Sequence, residues 1–307
     1  MKVFIIGGTG FLGSYLIPKL LKNNHSVTLL TRNKSNAGKF NSEKINVIQG
    51  DLLQPDKYLD TIGNQDIVVN IAMPPFKIGR VSKSKFKNIK HITTQYLRNA
   101  IHIAETLGCP LLLTAGTSFR TKSNEIADES WPIARFGMAA AGVEYDKLVP
   151  EILDKGKPPL IVLLPGQIYG SGGLFMKMIE MTQKGRNIIF GDGSNYIPRI
   201  YVEDCAEAYI KAIEKMPIGE KFIIADDTPC TTKEFNEHLC QLMKKPKPKH
   251  LPKFILRLVM GKMIYETVTM NCKVSNIKAK EMLGWKPKYQ GFKEGLEVTI
   301  KKQTIDF

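Results

Sequence analysis

Residues 1–13 read MKVFIIGGTGFLG. The apolar run after Lys2 makes a short strand, and the glycines behind it mark a tight turn into the helical spacing of FLGSYLIPKLLKNN at 11–24. Gly7 allows the turn, Gly10 lets the backbone approach a pyrophosphate, and Gly13 permits close packing of helix on strand. The helix N-terminus adds N–H groups and positive potential for an anion. A glycine triplet alone is a weak signal; here a strand precedes it, a helix follows, and a second strand, SVTLLT at 26–31, stands at the right distance.

The same alternation continues outward from that turn. INVIQG at 45–50, DIVVNIA at 66–72, PLLLTAG at 110–116 and PLIVLLP at 159–165 are short apolar runs separated by amphipathic stretches. A parallel sheet buried on both faces requires this pattern. The spacing predicts an α/β fold, a doubly wound parallel sheet of the Rossmann type, with helices near 13–23, 85–107 and 136–155. Beyond YGSGG at 169–173 the pattern loosens. Helices near 174–184, 204–215, 232–243, 253–266 and 275–283 and short strands at NIIF and FIIA suggest a smaller C-terminal α/β lobe, partly interleaved with the first domain. The expected division is a dinucleotide-binding domain over 1–165 and a substrate-binding lobe over 166–307. KKPKPKHLPK at 244–253 reads as an extended connector, because its prolines forbid a helix.

Composition narrows the function classes. The 307 residues are 43% hydrophobic and 24% charged, without an apolar run approaching membrane-spanning length. The first strand leaves no room for a cleavable signal, so the cytoplasm is the expected location. Five scattered cysteines without a CxxC pair indicate neither a disulfide framework nor a zinc site, and no metal is expected. The net charge of +15 is uneven: residues 240–302 carry fifteen Lys and Arg against four Glu, and KIGRVSKSKFKNIK at 77–90 contains no acid. Such patches attract nucleic acid, acidic lipid or an anionic substrate, or serve only solubility.

The end of the second strand bears on which dinucleotide binds. A carboxylate there would hold the ribose hydroxyls of NAD; the chain has Thr31, Arg32 and Asn33 instead. Arg32 can pair with a 2′-phosphate and stack on adenine, so NADP(H) is expected in preference to NAD(H). The ends of the third and fourth strands, Asp51–Leu52 and Ala72–Met73, face the same carboxyl edge of the sheet.

GGTGFLG, the GDL turn, LPGQIYGSGG, IYVEDCAEAY and KAKEMLGWKPKY followed by FKEGL together resemble the extended short-chain dehydrogenase/reductases, the epimerase and dehydratase type. The likeness is ordered along nearly the whole chain. It implies that the cofactor lies along Gly7, Thr9, Gly10, Phe11, Leu12 and Gly13, with adenine near Asp51 and Leu52. It also implies a nicotinamide ribose near Ala72 and Met73, a nicotinamide faced by Pro165, Gly166, Gln167 and Ile168, and Thr114 among the cofactor-binding residues. The family's chemistry needs a Tyr and a Lys four residues apart on one helix face, the ammonium depressing the phenol pKa while hydride moves. By the resemblance Phe136 and Ala140 of FGMAA occupy those places, and neither carries a proton. Gly116 aligns with the usual Ser, with Thr117 and Ser118 beside it.

Neither Tyr145 nor Lys147 replaces the pair simply, and the YxxxK strings at Tyr15 and Tyr289 lie elsewhere in the chain. Thr117, Ser118 and Tyr169 are the remaining catalytic candidates. His102 reads as an ordinary helix histidine and Asp204 as a helix cap. Lys77 and Arg80, after the fourth strand, are candidates to hold an anionic substrate.

Three readings stay open. The chain is an NADP(H)-linked oxidoreductase or epimerase-like enzyme with a non-standard proton donor; or it has kept the cofactor and lost the reaction, as a sensing or accessory subunit; or it is a basic RNA-binding module. The third lacks interleaved aromatics for stacking. A small-molecule substrate is expected, with a homodimer through the helices at 85–107 and 136–155 compatible with the pattern. The lysines before FILRLVMGKMIY allow an amphipathic helix to lie on an anionic membrane.

Overall fold

The computed structural model describes residues 1–40, 42–75 and 79–305. Lys2–Ile6 (β1) leads into Phe11–Lys22 (α1), followed by Ser26–Thr31 (β2), Ile45–Gln49 (β3), Ile67–Asn70 (β4), Lys83–Leu107 (α2) and Leu111–Thr114 (β5). A 3₁₀ segment, Gly137–Gly142, precedes Val143–Lys155 (α3) and Leu160–Pro165 (β6). The remainder comprises Gln167–Tyr169 (β7), Phe175–Gln183 (α4), Ile188–Phe190 (β8), Arg199–Tyr201 (β9), Val202–Lys215 (α5), Lys221–Ile224 (β10), Thr232–Leu242 (α6), Lys249–Leu251 (β11), Lys253–Val268 (α7), Ile277–Leu283 (α8) and Phe292–Ile305 (α9).

Seven strands form one parallel sheet in the order β3-β2-β1-β4-β5-β6-β10. The winding reverses between β1 and β4, which opens a crevice at their carboxyl ends. Alternate residues feed opposite cores. Val3 and Ile5 of β1, with Val27, Leu29, Ile67 and Val69, pack with α1 and α5, whereas Phe4 and Ile6, with Leu30 and Val68, pack with α2 and α3. Burial on both faces explains why these strands read as continuous apolar runs.

The FIIA strand differs from its expected place. β10 pairs with β6 at the edge of the main sheet, and not within a smaller lobe. Lys221–Ile224 alternate onto both cores, Phe222 and Ile224 on one side and Ile223 on the other, so the strand suits a two-sided sheet. Within the lysine-proline connector Lys249–Leu251 is extended, as β11 paired with β8, while Lys244 turns with φ 53° and Lys253 already opens α7. Two three-residue pairs, β7 with β9 and β8 with β11, form separate small sheets.

Candidate functional site

The turn after β1 is built around space that only glycine leaves. Gly7 has φ +86°, and a Cβ there would meet the Ala72 backbone at 2.6 Å, so the ends of β1 and β4 touch. A Cβ on Gly13 would lie 2.1 Å from the Gly8 carbonyl oxygen, which locks α1 against the turn. The Gly10 N–H donates to the Gly7 carbonyl at 3.0 Å, and the Cβ position of Gly10 meets only that same oxygen. Its outer side is open, as close approach of a pyrophosphate requires, so the cradle fits a dinucleotide.

GSGG at 170–173 closes one flank of this turn. Cβ atoms at Gly172 and Gly173 would strike the Phe11 ring at 2.4 and 2.7 Å, and both glycines have positive φ. The Tyr15 hydroxyl donates to the Ser171 carbonyl at 3.1 Å, fixing the segment against α1. Leu12 is buried and Thr9 half-buried.

At the end of β2, Arg32 is exposed while the Asn33 side chain accepts from the Ser35 N–H and caps a 3₁₀ turn. Lys39, which sequence reasoning missed, returns from that turn and donates from Nζ to the Thr9 carbonyl at 3.1 Å. Its only signal in the sequence is a lysine seven residues after Arg32. No carboxylate occurs between residues 31 and 42.

The other strand ends gather along the same edge. Asp51 accepts from the Leu53 N–H at 2.9 Å, and the buried Leu52 presents its carbonyl to the Asn99 amide of α2. The Ala72 N–H donates to Asn70, itself 2% exposed, while Met73 is 80% exposed. Thr114 shares a hydrogen bond with the Tyr209 hydroxyl at 2.8 Å, which ties its side chain to α5. Pro165 is buried, Gly166 sits where a Cβ would meet the Pro198 carbonyl at 2.8 Å, Gln167 is exposed and Ile168 half-buried.

The three catalytic candidates separate. Thr117 is half-buried at the sheet edge, its hydroxyl 3.4 Å from the Pro165 carbonyl that it donates to. Ser118 is buried and its hydroxyl is committed to the Ala134 carbonyl. Tyr169 is 1% exposed among Phe175, Tyr201 and Phe235, and donates to Asp226 at 3.2 Å. Burial pushes its phenol far above the ordinary range, with the neighbouring carboxylate adding to the effect. Arg80 lies beside Gly261 of α7; Lys77 lies outside the described residues.

FGMAA does not begin an α-helix. Phe136 has extended backbone, Gly137 has φ +54°, and 137–142 form a 3₁₀ turn before α3 starts. The C-terminal half of α7 roofs this segment: Glu266 accepts from the Gly137 N–H at 3.0 Å and Thr267 from the Met138 N–H at 2.9 Å. A Cβ on Gly137 would meet the Thr267 hydroxyl at 2.4 Å. Beside it, Arg135 grips Asp146 with two bonds of 2.7 and 2.6 Å. Burial pushes the Tyr145 hydroxyl up to about 12, against the pull of Arg135. His102 is exposed, 3.6 Å from Asp56.

Asp204 is not a helix cap. Tyr201 stands at the N-cap of α5, and the Asp204 carboxylate instead accepts the Lys288 and Tyr289 N–H groups at 2.8 and 3.0 Å. Trp285 adds a bond to the Asp204 carbonyl at 3.0 Å. No group of His, Cys, Asp and Glu suited to a metal occurs among the described residues.

A glycine turn at the switch point of a doubly wound parallel sheet defines a dinucleotide-binding protein. The NAD dependent epimerase/dehydratase family model matches residues 3–225, and the chain belongs to that family. It is 27% identical to the sterol-4-alpha-carboxylate 3-dehydrogenase, decarboxylating, of Saccharomyces cerevisiae, over 97% of each chain. It is 24% identical to a chloroplastic epimerase family protein homolog of Arabidopsis thaliana, over 98% of this chain and 87% of that one. Among solved structures, the dTDP-glucose 4,6-dehydratase of Bacillus anthracis in complex with NAD superposes with a TM-score of 0.81 at 16% identity, covering 100% of this chain and 97% of the other. A human epimerase family protein with NADPH gives 0.75 at 18% identity, covering 98% and 99%. These likenesses place the chain among NAD(P)-binding proteins with the extended short-chain dehydrogenase/reductase fold. No described helix is long and apolar enough to cross a membrane.

Proposed function

We propose that the chain binds NADP(H) along the glycine turn and acts as an oxidoreductase on a small, anionic carbonyl or hydroxyl compound, without the family's helix phenol as proton donor. The observation that carries the cofactor choice is the end of β2, where Arg32 is exposed, Lys39 reaches the rim of the turn, and no carboxylate is present to repel a 2′-phosphate. The proposed contacts are the 7–13 turn for the pyrophosphate and Arg32, Asn33 and Lys39 for the phosphorylated ribose. Asp51 and Leu52 then lie by the adenine, Ala72, Met73 and the Thr114 backbone by the second ribose, and residues 165–168 by the nicotinamide.

A nicotinamide dinucleotide supplies hydride transfer when bound; the chain must hold the substrate oxygen and see it protonated. Thr117 is the one candidate hydroxyl left partly open at the edge. Its intrinsic acidity is too low to protonate an alkoxide unaided, so its role in this reading is orientation, with water or the substrate's own acid completing the transfer. Arg80 supplies positive charge on the α7 side.

A second reading has its own observation. Where a phenol would work, the 137–138 backbone is capped by Glu266 and Thr267, so the cofactor serves sensing or stability and is never consumed. Titration of the purified protein with NADPH and NADH tests the binding, followed by absorbance of bound NADPH against aldehydes, ketones and nucleotide sugars. Tighter NADPH binding with consumption supports the enzyme. Binding without consumption supports the sensor, and equal affinity for both dinucleotides overturns the cofactor assignment.

A further inference from the structure

We propose that the N-terminal half of α7, with the lysines around it, docks the protein onto an anionic lipid bilayer. α7 is broken at Gly261, whose φ of 85° and ψ of 170° are not helical. The half beyond the break is anchored over residues 137–142. The half before it buries Leu256 and leaves Phe254, Leu258 and Val259 exposed at 68%, 73% and 58%. Phe254 and Leu258 are four residues apart, one turn above the other on a single face.

Charge selects the occupant. From 244 to 262 the chain carries seven Lys and Arg and no carboxylate. Lys244, Lys245, Lys247, Lys249, Lys253, Arg257 and Lys262 are all exposed, and among the described residues only Lys253 and Lys262 of these have an acid within reach, Asp192 at 4.0 Å and Glu266 at 3.6 Å. Exposed apolar side chains in a segment of exposed cations match the interface of an anionic bilayer: the former enter the headgroup boundary while the latter meet phosphate and carboxylate. A second copy docking isologously would oppose two segments of like charge. Nucleic acid would leave two aliphatic residues wet, with one aromatic for stacking. Docking does not depend on whether the crevice turns over a substrate.

The full chain is mixed with phosphatidylcholine vesicles and with vesicles containing 30% phosphatidylserine, and binding is read by co-sedimentation. Anionic vesicles should bind at least tenfold more tightly, and 0.5 M salt should remove most of the difference. Phe254→Ser with Leu258→Ser should lower binding tenfold or more, and Lys247→Gln, Lys249→Gln with Arg257→Gln several-fold, with the thermal midpoint unchanged. Leu258→Trp provides an independent readout, its emission shifting to the blue on anionic vesicles only. Equal binding to both vesicles, wild-type binding by the Phe254/Leu258 variant, or no shift at position 258 overturns the proposal. So does a concentration-dependent dimer that the same variant dissolves, or RNA binding that outcompetes the vesicles.

Discussion

Arg32 is a single exposed side chain at a strand end, yet in the function proposed above it is what favours one dinucleotide over another that differs by one phosphate. A charge-assisted hydrogen bond to that phosphate is worth about 1.5–3 kcal/mol, reduced here by solvent and salt. Arg32→Ala should therefore weaken NADPH roughly tenfold at low salt and NADH about twofold or less, measured by fluorescence titration. Lys39→Ala should show the same preference more weakly; equal losses for the two dinucleotides would refute the pairing. Arg32 was legible from the sequence because it directly follows a recognisable strand. Lys39 was not, since its approach to Thr9 depends on the path of a 3₁₀ turn. The same contrast holds at Phe136 and Ala140. In an α-helix residues four apart are separated by about 40°, but in a 3₁₀ turn by about 120°. Installing Tyr at 136 and Lys at 140 would thus not bring the two side chains to one face, and Phe136→Tyr with Ala140→Lys should leave NADPH consumption at its wild-type level.

The long apolar runs and amphipathic stretches are legible in the sequence, and so is the short strand at NIIF, whereas β7, β9, β11 and α9 carry no such signal. β1, β2, β4, β5 and β6 are apolar because they are buried on both faces, and that alone distinguishes them. β7 and β9 are three residues each, too short for any period, and exist because they pair with one another. α9 contains Gly295, which lowers helix propensity, but the Tyr169 hydroxyl occupies the place its Cβ would take, 2.3 Å away, so the glycine is a packing requirement. Asp204 belongs to this scale too, since one carboxylate ties α5 to the segment before α9. Asp204→Ala leaves the Lys288 and Tyr289 N–H groups, only partly shielded from water, without their acceptor and should cost about 1–2 kcal/mol, read as a lower urea midpoint. Asp204→Asn, which keeps one acceptor, should recover part of the loss. A variant as stable as wild type would show that the C-terminal segment holds without this carboxylate.

The whole molecule is joined by a buried polar cluster between the main sheet and the elements that follow it. The Arg199 guanidinium stacks on Phe235 of α6 at 4.2 Å and reaches the Cys230 sulfur at 3.3 Å. Asp226, just past β10, accepts from Tyr169 of β7 and from the Tyr201 N–H of β9. Burial pushes the Asp226 carboxyl from its ordinary 3.8 up to about 8, with the Tyr169 hydroxyl, the Tyr201 N–H and Arg199 opposing the rise. The folded protein then holds a proton between about pH 4 and 8 that the unfolded chain has already released. Its contribution to stability is fully present below the unfolded value and is lost as pH rises through the folded one. Asp226→Asn keeps the shape and an acceptor while removing the titration. Urea unfolding at pH 5, 6.5 and 8 should show wild type losing on the order of a few kcal/mol relative to the variant across that span. Glu129, another raised carboxyl, cancels in the comparison because both proteins carry it, and Asp204, whose charge adds to the rise at Asp226, is retained in both. Parallel pH profiles for the two proteins would mean that Asp226 is ionised in the folded state, held so by the buried guanidinium of Arg199.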